Sequence, residues 1–254
     1  MAPVLFTVFG FEVQAFWATV IAGFLTSLFV ARAELRRRHH DPALGYDLIL
    51  HSYIGGFIGA RVFLVFFAWD AFSRDPFEFL FSGSGWVWQG GLLGGAVTVL
   101  LAARRVGLPL ADVADLSALC LAIGQTIGRI GCQLAGDGDY GIATDLPWGM
   151  SYPNGVVPTF ERVHPTPIYE MLAYFAIFLA LWRQRSWTRP AGSLLGQYLI
   201  LTGVARFAVE FVRRNAVVAV GLTLPQFFSL GFTMIGIVLL FRLYRSAQPR
   251  VGHA

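Results

Sequence analysis

The chain has 254 residues, of which 56% are hydrophobic and only 13% are charged. With a mean hydropathy of +0.62, it has too little polar surface to cover a soluble globular protein of this length, so the composition indicates a membrane protein. The formal net charge is +4, and all 19 basic residues are arginine; nucleic acid is not among the partners we predict.

Seven apolar stretches, each near the length of about 20 residues that a transmembrane helix needs, predict seven membrane-spanning helices. In chain order they are Val13 to Ala31, Leu48 to Trp69, Trp86 to Ala103, Leu116 to Ala135, Thr166 to Trp182, Ser193 to Phe211 and Leu224 to Phe241. We therefore predict an all-α, polytopic transmembrane helical bundle in which residues 1–254 form a single integral membrane domain.

The arginines in the connecting segments predict the orientation of this bundle. Twelve of them follow the first, third, fifth and seventh stretches: Arg32, Arg36, Arg37, Arg38, Arg104, Arg105, Arg183, Arg185, Arg189, Arg242, Arg245 and Arg250. Only Arg74, Arg162, Arg213 and Arg214 lie in loops on the other side. Because basic loops remain in the cytoplasm, the N-terminus is predicted to be periplasmic and the C-terminus cytoplasmic.

Two of the predicted outward loops are long. Residues at about 136–165 form an extracytoplasmic loop region, and a loop of this length is more often functional than merely connecting. Asp70 to Gly85 is a second candidate lid. Within the helices, glycines recur four residues apart, which lets helix backbones approach closely; the pairs are Gly55 and Gly59, Gly90 and Gly94, Gly91 and Gly95, and Gly124 and Gly128.

Charged residues inside the apolar stretches are the strongest functional signal. Arg61, Arg129 and Arg206 each cost roughly 2.5 to 3.5 kcal/mol within a membrane unless they have a partner. Glu170 and Glu210 are the predicted intramembrane acids, and Arg206 and Glu210 share one helical face.

The predicted orientation places these five residues and Gln89 in the outer half of the bilayer, which favours a shared cavity that admits an anionic headgroup. Three cations against two anions suit a phosphate, which the arginine fork binds through two hydrogen bonds. The alternative is that the charges pair only to fix helix register.

Several short motifs rich in glycine and charged or polar residues follow one another along the chain. They are Gly59-Ala60-Arg61, Trp88-Gln89-Gly90-Gly91, Gly128-Arg129-Ile130-Gly131-Cys132, Gly136-Asp137-Gly138-Asp139-Tyr140-Gly141, Pro147-Trp148-Gly149-Met150, His164-Pro165-Thr166-Pro167-Ile168-Tyr169-Glu170, Arg206 to Arg213 and Leu224 to Ser229. In sequence, order and spacing these motifs resemble the bacterial prolipoprotein diacylglyceryl transferase family, and the resemblance covers nearly the whole chain.

The resemblance implies a multi-pass enzyme of the bacterial cytoplasmic (inner) membrane. Such an enzyme moves the diacylglyceryl group of phosphatidylglycerol to the lipobox cysteine of a secreted lipoprotein precursor. It implies that Arg129 and Arg206 are catalytic. The reaction of this family requires no cofactor and no metal. Cys120 and Cys132 suggest neither a metal site nor a disulfide. Substrate-binding positions by the same motifs are Arg61, Gln89, Gly90, Gly91, Cys132, Glu170 and His164.

The proton acceptor is the open question, because Gln89 stands where the family commonly has a histidine. We favour Asp137 as the base, with Glu210 as a further catalytic carboxylate, since partial desolvation can raise a carboxylate pKa to a useful value. Asp139 and His164 are the other candidate bases. The alternatives are that Asp137 and Asp139 are only turn residues, an interpretation that suits Asp139 better, and that His164 only caps the helix. Tyr169 is interpreted as an interface aromatic.

Two other functions stay open. The chain could be a related membrane transferase with a different acceptor, or a non-catalytic phospholipid-binding or transporting membrane protein. A transporter would be expected to show internal repeats, and the sequence has no convincing one.

Overall fold

The protein is predominantly helical in the part that its computed structural model describes, which is residues 1–8, 10–77 and 87–247. That part contains eight helices: α1 (Ala15–Arg37), α2 (Leu44–Phe67), α3 (Trp69–Arg74), α4 (Trp88–Arg105), α5 (Leu110–Ala135), α6 (Thr166–Gln184), α7 (Ser193–Glu210) and α8 (Leu224–Ala247). Six short strands form three antiparallel hairpins: β1 (Val4–Val8) with β2 (Phe11–Gln14), β3 (Met150–Tyr152) with β4 (Thr159–Val163), and β5 (Val217–Ala219) with β6 (Leu222–Thr223).

The seven long helices lie where the seven apolar stretches were predicted, and α3 is an additional short helix. Four of them, α1, α2, α5 and α8, are long and apolar enough to cross a membrane. That α4, α6 and α7 also cross, and in which direction the bundle is oriented, stay predictions. The three hairpins were not predicted; their strands have five residues or fewer, too short for an alternating pattern to stand out from a loop.

The helices belong to two compact units, Leu28–Val113 and a second one formed by Met1–Ser27 with Ala114–Ala254. In the first unit, α2 and α4 pack through their glycines. A Cβ atom on Gly59 would lie 2.3 Å from the carbonyl oxygen of Gly90, and one on Gly94 would lie 2.2 Å from that of Gly55. The prediction of close helix packing is therefore confirmed for these pairs. A Cβ on Gly128 would meet nothing within 4 Å, so packing does not explain that glycine.

In the second unit, α7 packs between α6 and α8. The carboxylate of Asp115 on α5 accepts a hydrogen bond of 2.8 Å from the amide of Leu194, which satisfies one of the unpaired N–H groups at the start of α7.

One end of the second unit carries all three hairpins. The amide of Ala2 donates to the carbonyl of Leu134 at the end of α5, over 3.0 Å. The 136–165 region has a small core of Tyr140, Tyr152 and Val163. It is therefore folded, with a hairpin of its own. Of the other candidate lid, residues 70–74 lie in α3 and residues 78–86 lie outside the described part.

Candidate active site

Six charged side chains at this end of the second unit form one continuous set of ion pairs, which we call the arginine–carboxylate cluster. Its members come from five parts of the fold: Arg129 on α5, Asp139 after α5, Glu170 on α6, Arg206 and Glu210 on α7, and Arg213 after α7. Of the six residues that the sequence predicts to lie at one depth, the cluster contains four: Arg129, Glu170, Arg206 and Glu210.

Glu170 lies at the centre of the cluster. Its side chain is 1% exposed, and its two oxygens face different arginines: Oε2 lies 2.6 Å from Nε of Arg129 and Oε1 lies 3.1 Å from Nη1 of Arg206. Nη1 of Arg213 is 3.7 Å from Oε2. A buried carboxylate requires such compensation, because an unpaired charge in the protein interior is strongly destabilising. Glu170 therefore fixes two guanidinium groups side by side.

Glu210 is also fully buried and uses both of its oxygens. Oε2 lies 2.6 Å from Nη1 of Arg206, one helical turn away, and 3.8 Å from Nε of Arg213. Oε1 accepts hydrogen bonds of 2.7 Å from Nδ2 of Asn215 and from Oγ1 of Thr223. Contacts to both oxygens hold this carboxylate in one orientation.

Asp139 was considered as a candidate base or a turn residue, and its pairing with arginines was not predicted. It pairs with Nη1 of Arg129, and its Oδ1 lies 2.6 Å from Nη2 of Arg213. Burial alone would raise the pKa of Asp139, but the charges of Arg129 and Arg213 outweigh it and hold that pKa below its ordinary value. Arg213 was missed as a site residue, although it stands three residues after Glu210 within a motif.

A backbone seam aligns Asp139 with Arg213. The amide of Gly141 donates to the carbonyl of His164 over 2.8 Å, and the amide of Ile142 donates to that of Val212 over 2.9 Å. A Cβ atom on Gly141 would lie 2.1 Å from the carbonyl oxygen of Val212. Only a residue without a side chain allows these segments to come so close.

The charges within the cluster balance, with three arginines facing three carboxylates. The predicted surplus of positive charge is therefore absent from the cluster; Arg61, which was counted in it, belongs to the other unit. The arginines nevertheless keep donors for a ligand. Within the described residues, the ion pairs of Arg206 use Nη1 alone, and its side chain is 20% exposed. Those of Arg129 use Nε and Nη1, and its side chain is 24% exposed.

Cys132 and Asp137 lie beside the cluster. Nη1 of Arg129 is 3.6 Å from Sγ of Cys132. Sγ of Cys132 and oxygens of Asp137 and Asp139 all lie within 4.8 Å of one another, a spacing that could hold a metal ion. Asp139 is already paired with two guanidinium groups, and their positive charge opposes a cation there. Although Asp137 is exposed, the protein atoms around its carboxylate and the charge of Asp139 raise its pKa.

His164 does not cap helix α6 through its side chain, because the capping residue is Pro165 and it makes no side-chain cap bond. Its Nδ1 lies 3.2 Å from the hydroxyl of Tyr169, and that hydroxyl accepts a hydrogen bond of 2.8 Å from Nε1 of Trp148. Tyr169 therefore does more than face an interface, since it links the 136–165 region to the start of α6.

The remaining predicted substrate-binding residues belong to the Leu28–Val113 unit. Arg61 is buried, Gln89 is half-buried, and Gly90 contacts Gly59 and Phe63 on α2. A Cβ on Gly91 would lie 3.4 Å from the carbonyl oxygen of Gly56, which is an ordinary contact. Packing accounts for Gly90, and the substrate roles of these four residues stay predictions.

Comparison with known proteins agrees with the motifs. The family model for prolipoprotein diacylglyceryl transferase matches residues 3–242. The phosphatidylglycerol–prolipoprotein diacylglyceryl transferase of Clostridium tetani is 31% identical over 93% of this chain and 96% of its own. Proteins of the same name from Leptospira interrogans and Nitratidesulfovibrio vulgaris (strain DP4) are 33% and 34% identical, over 81% and 94% of this chain and 73% and 93% of their own.

Proposed function

The chain belongs to the prolipoprotein diacylglyceryl transferase family, and on that premise we propose that it transfers the diacylglyceryl group of phosphatidylglycerol to the lipobox cysteine of lipoprotein precursors. The observation that carries this proposal is the placement of Arg129 and Arg206 on the two oxygens of the buried Glu170 carboxylate. Two partly exposed guanidinium groups fixed side by side offer the planar N–H donors with which arginine binds phosphate oxygens.

The reaction makes a specific demand on these groups. The thiolate sulfur attacks the glycerol carbon that bears the phosphate, the carbon–oxygen bond breaks, and glycerol phosphate leaves with the bonding electrons. Its phosphate gains a negative charge in this step. Donors that are already oriented stabilise such developing charge without further reorganisation. Glu170 and Glu210 provide that orientation, so we assign Glu210 the role of positioning Arg206 and Arg213.

The thiol proton must go to a base, and Asp137 is the carboxylate best suited to accept it. It is exposed and stands beside Arg129 and Cys132, and its pKa is raised by the protein atoms around its carboxylate and by the charge of Asp139. One oxygen of Asp137 accepts a hydrogen bond of 3.2 Å from the amide of Asp139, whereas both oxygens of Glu210 and both of Asp139 contact arginine or other polar side chains. A raised pKa brings a carboxylate closer to the range in which it can accept a proton from a thiol.

The same proposal includes the membrane arrangement. All seven long helices would cross the bacterial cytoplasmic membrane as one integral domain, with the hairpin-bearing end of the second unit on the periplasmic side. This orientation exposes the cluster to lipid of the outer leaflet and to secreted precursors. It agrees with the position of the twelve arginines that the sequence assigns to the cytoplasmic side.

The direct test uses purified protein in nanodiscs that contain phosphatidylglycerol, with a peptide that carries a lipobox cysteine. We expect a thioether-linked diacylglyceryl peptide by mass spectrometry, together with stoichiometric glycerol phosphate. The same peptide with serine in place of cysteine, and nanodiscs of phosphatidylcholine alone, are the controls and should give no product. Lipid binding without product from any thiol peptide would instead support a non-catalytic phospholipid-binding protein.

A further inference from the structure

The hairpin of β5 and β6 joins helix α7 to helix α8 and presents an apolar, uncharged surface. No residue from Asn215 to Thr223 carries a charge. Val217 and Val218 are each 64% exposed, and Val220 at the tip is 86% exposed. Apolar side chains exposed singly are ordinary, but a contiguous group of them indicates a surface that contacts another apolar phase.

The backbone conformation of the turn at the tip is further evidence that this surface does not face water. Val220 has φ +45° and Gly221 has φ +76°, both in the left-handed region. Asparagine, aspartate or glycine suits such a two-residue turn, whereas a β-branched residue is strained there. In water, an asparagine at position 220 would therefore be better both for the backbone and for solvation.

The hairpin is continuous with a surface that is suited to lipid. Phe211 before it and Leu224 directly after it are 63% and 50% exposed. Leu224 is the first residue of α8, one of the four helices that are long and apolar enough to cross a membrane. At about 3.3 Å per residue, Val220 lies no more than roughly 13 Å along the chain from Leu224, which keeps the tip close to the bilayer surface, where the headgroup layer is about 5 to 8 Å thick on each side.

The base of the hairpin is tied to the arginine–carboxylate cluster. Asn215 before β5 and Thr223 at the end of β6 both donate to Oε1 of Glu210, each over 2.7 Å. The other oxygen of Glu210 pairs with Arg206. The hairpin and the arginine–carboxylate cluster are thereby held in a fixed relative position through Glu210.

We propose that the β5–β6 hairpin inserts its valines into the boundary between headgroups and acyl chains of the outer leaflet. The occupant of its apolar surface is membrane lipid, and the inserted hairpin holds the arginine–carboxylate cluster at the depth of the lipid phosphates. This inference rests on the proposed function for its membrane side, but it concerns a surface outside the reacting groups.

Depth-dependent fluorescence quenching tests the proposal. Val218→Cys and Val220→Cys are labelled with an environment-sensitive fluorophore in phosphatidylglycerol nanodiscs. Wild-type protein, with Cys120 and Cys132 only, supplies the labelling blank. Glu161→Cys, at an exposed position of β4, is the aqueous control, and Val238→Cys, at an exposed position within α8, is the acyl-chain control.

We expect labels at 218 and 220 to be quenched several-fold more by lipids brominated near the headgroup end of the chain than the label at 161, and several-fold less by iodide. Equal iodide quenching at 161, 218 and 220 would overturn the proposal. So would labels shielded from both quenchers, or shielded only when the lipobox peptide is added, since the occupant would then be protein.

A substitution at the tip gives an independent readout. Val220→Asn relieves the turn but removes apolar contact, and we expect it to raise the apparent KM for nanodisc lipid by about tenfold. Unchanged KM with increased thermal stability would mean that the tip is a turn in water. Quenching by bromolipid without turnover would refute the transferase function and support the hairpin inference. Turnover with an iodide-accessible hairpin would support the transferase function and refute the hairpin inference.

Discussion

Arg129 connects two carboxylates that belong to different parts of the chain, and lysine cannot reproduce this connection. Its Nε lies 2.6 Å from Glu170 on α6, while its Nη1 pairs with Asp139 in the segment after α5. A lysine ammonium is a single point of charge, so Arg129→Lys can keep one of these pairs but not both with the geometry of the fork. The variant should therefore insert and fold but lose its preorganised donor.

The magnitude has two parts. Loss of one hydrogen bond to a charged group lowers the free energy of unfolding by about 1.5 to 3 kcal/mol. Loss of one preorganised donor to a developing anion lowers the rate by about 100- to 1,000-fold. With the peptide at saturating concentration, we expect kcat/KM for phosphatidylglycerol to fall by that factor. The thermal midpoint in nanodiscs should decrease only modestly.

The assay is the mass-spectrometric one with phosphatidylglycerol nanodiscs and lipobox peptide. Arg36→Lys, at an exposed position near the end of α1, is the matched control and should transfer lipid at the wild-type rate. If folded Arg129→Lys retained more than about a tenth of wild-type kcat/KM, the role of the guanidinium fork would be refuted, since the missing donor would then contribute less than about 1.4 kcal/mol.

Three further substitutions test separate parts of the site. Gln89→Ala should reduce transfer far less than Arg129→Lys, because a neutral amide cannot take the thiol proton; complete loss of turnover in the folded variant would contradict this. Gly141→Ala should destabilise the protein by about 1 to 3 kcal/mol or more, because its Cβ would lie 2.1 Å from the Val212 carbonyl oxygen; thermal unfolding measures it against Gly231→Ala, whose Cβ would meet nothing within 4 Å. Asp137→Asn should lower transfer by about 100-fold or more and remove the acidic limb of the pH–rate profile, with Asp145→Asn in the same region as its control. The pKa of Asp137 is raised above its ordinary value of 3.8, so the wild-type base is lost as the pH falls through that raised pKa. Protonation of this group favours folding below pH 3.8, and that contribution is lost as the pH rises through the raised pKa. Asp137→Asn should therefore not lower the thermal midpoint at neutral pH, and a clear decrease would argue for a structural role instead.

The sequence was sufficient to locate the helices because hydrophobic length is a direct consequence of burial in lipid or protein. It also identified Arg129, Glu170, Arg206 and Glu210 as one group, because the cost of an unpaired charge in an apolar helix requires a partner. Their proximity was predicted from a common depth, but which side chains pair could not be predicted without knowing which helices are neighbours.

The members of the cluster whose pairing was not predicted lie outside the apolar stretches. Asp139 and Arg213 stand in connecting segments, where a charge costs little and gives no signal in composition. The seam through Gly141 that brings them together depends on backbone contacts between residues more than 70 positions apart. Such long-range pairing cannot be deduced from local pattern, and neither can the three hairpins that it accompanies.

The glycine contacts between α2 and α4 decide how a saturation mutagenesis library of this chain is to be interpreted. Every side chain at Gly90 would push against the backbone of Gly59 and the ring of Phe63, so depletion of all variants there reports separation of two helices and says nothing about ligand. Gly91 is the informative neighbour, because an alanine at that position fits at ordinary contact distance. A Gly91→Ala protein that reaches the membrane in normal amount but fails to complement would identify this position, and not Gly90, as a point of contact with substrate.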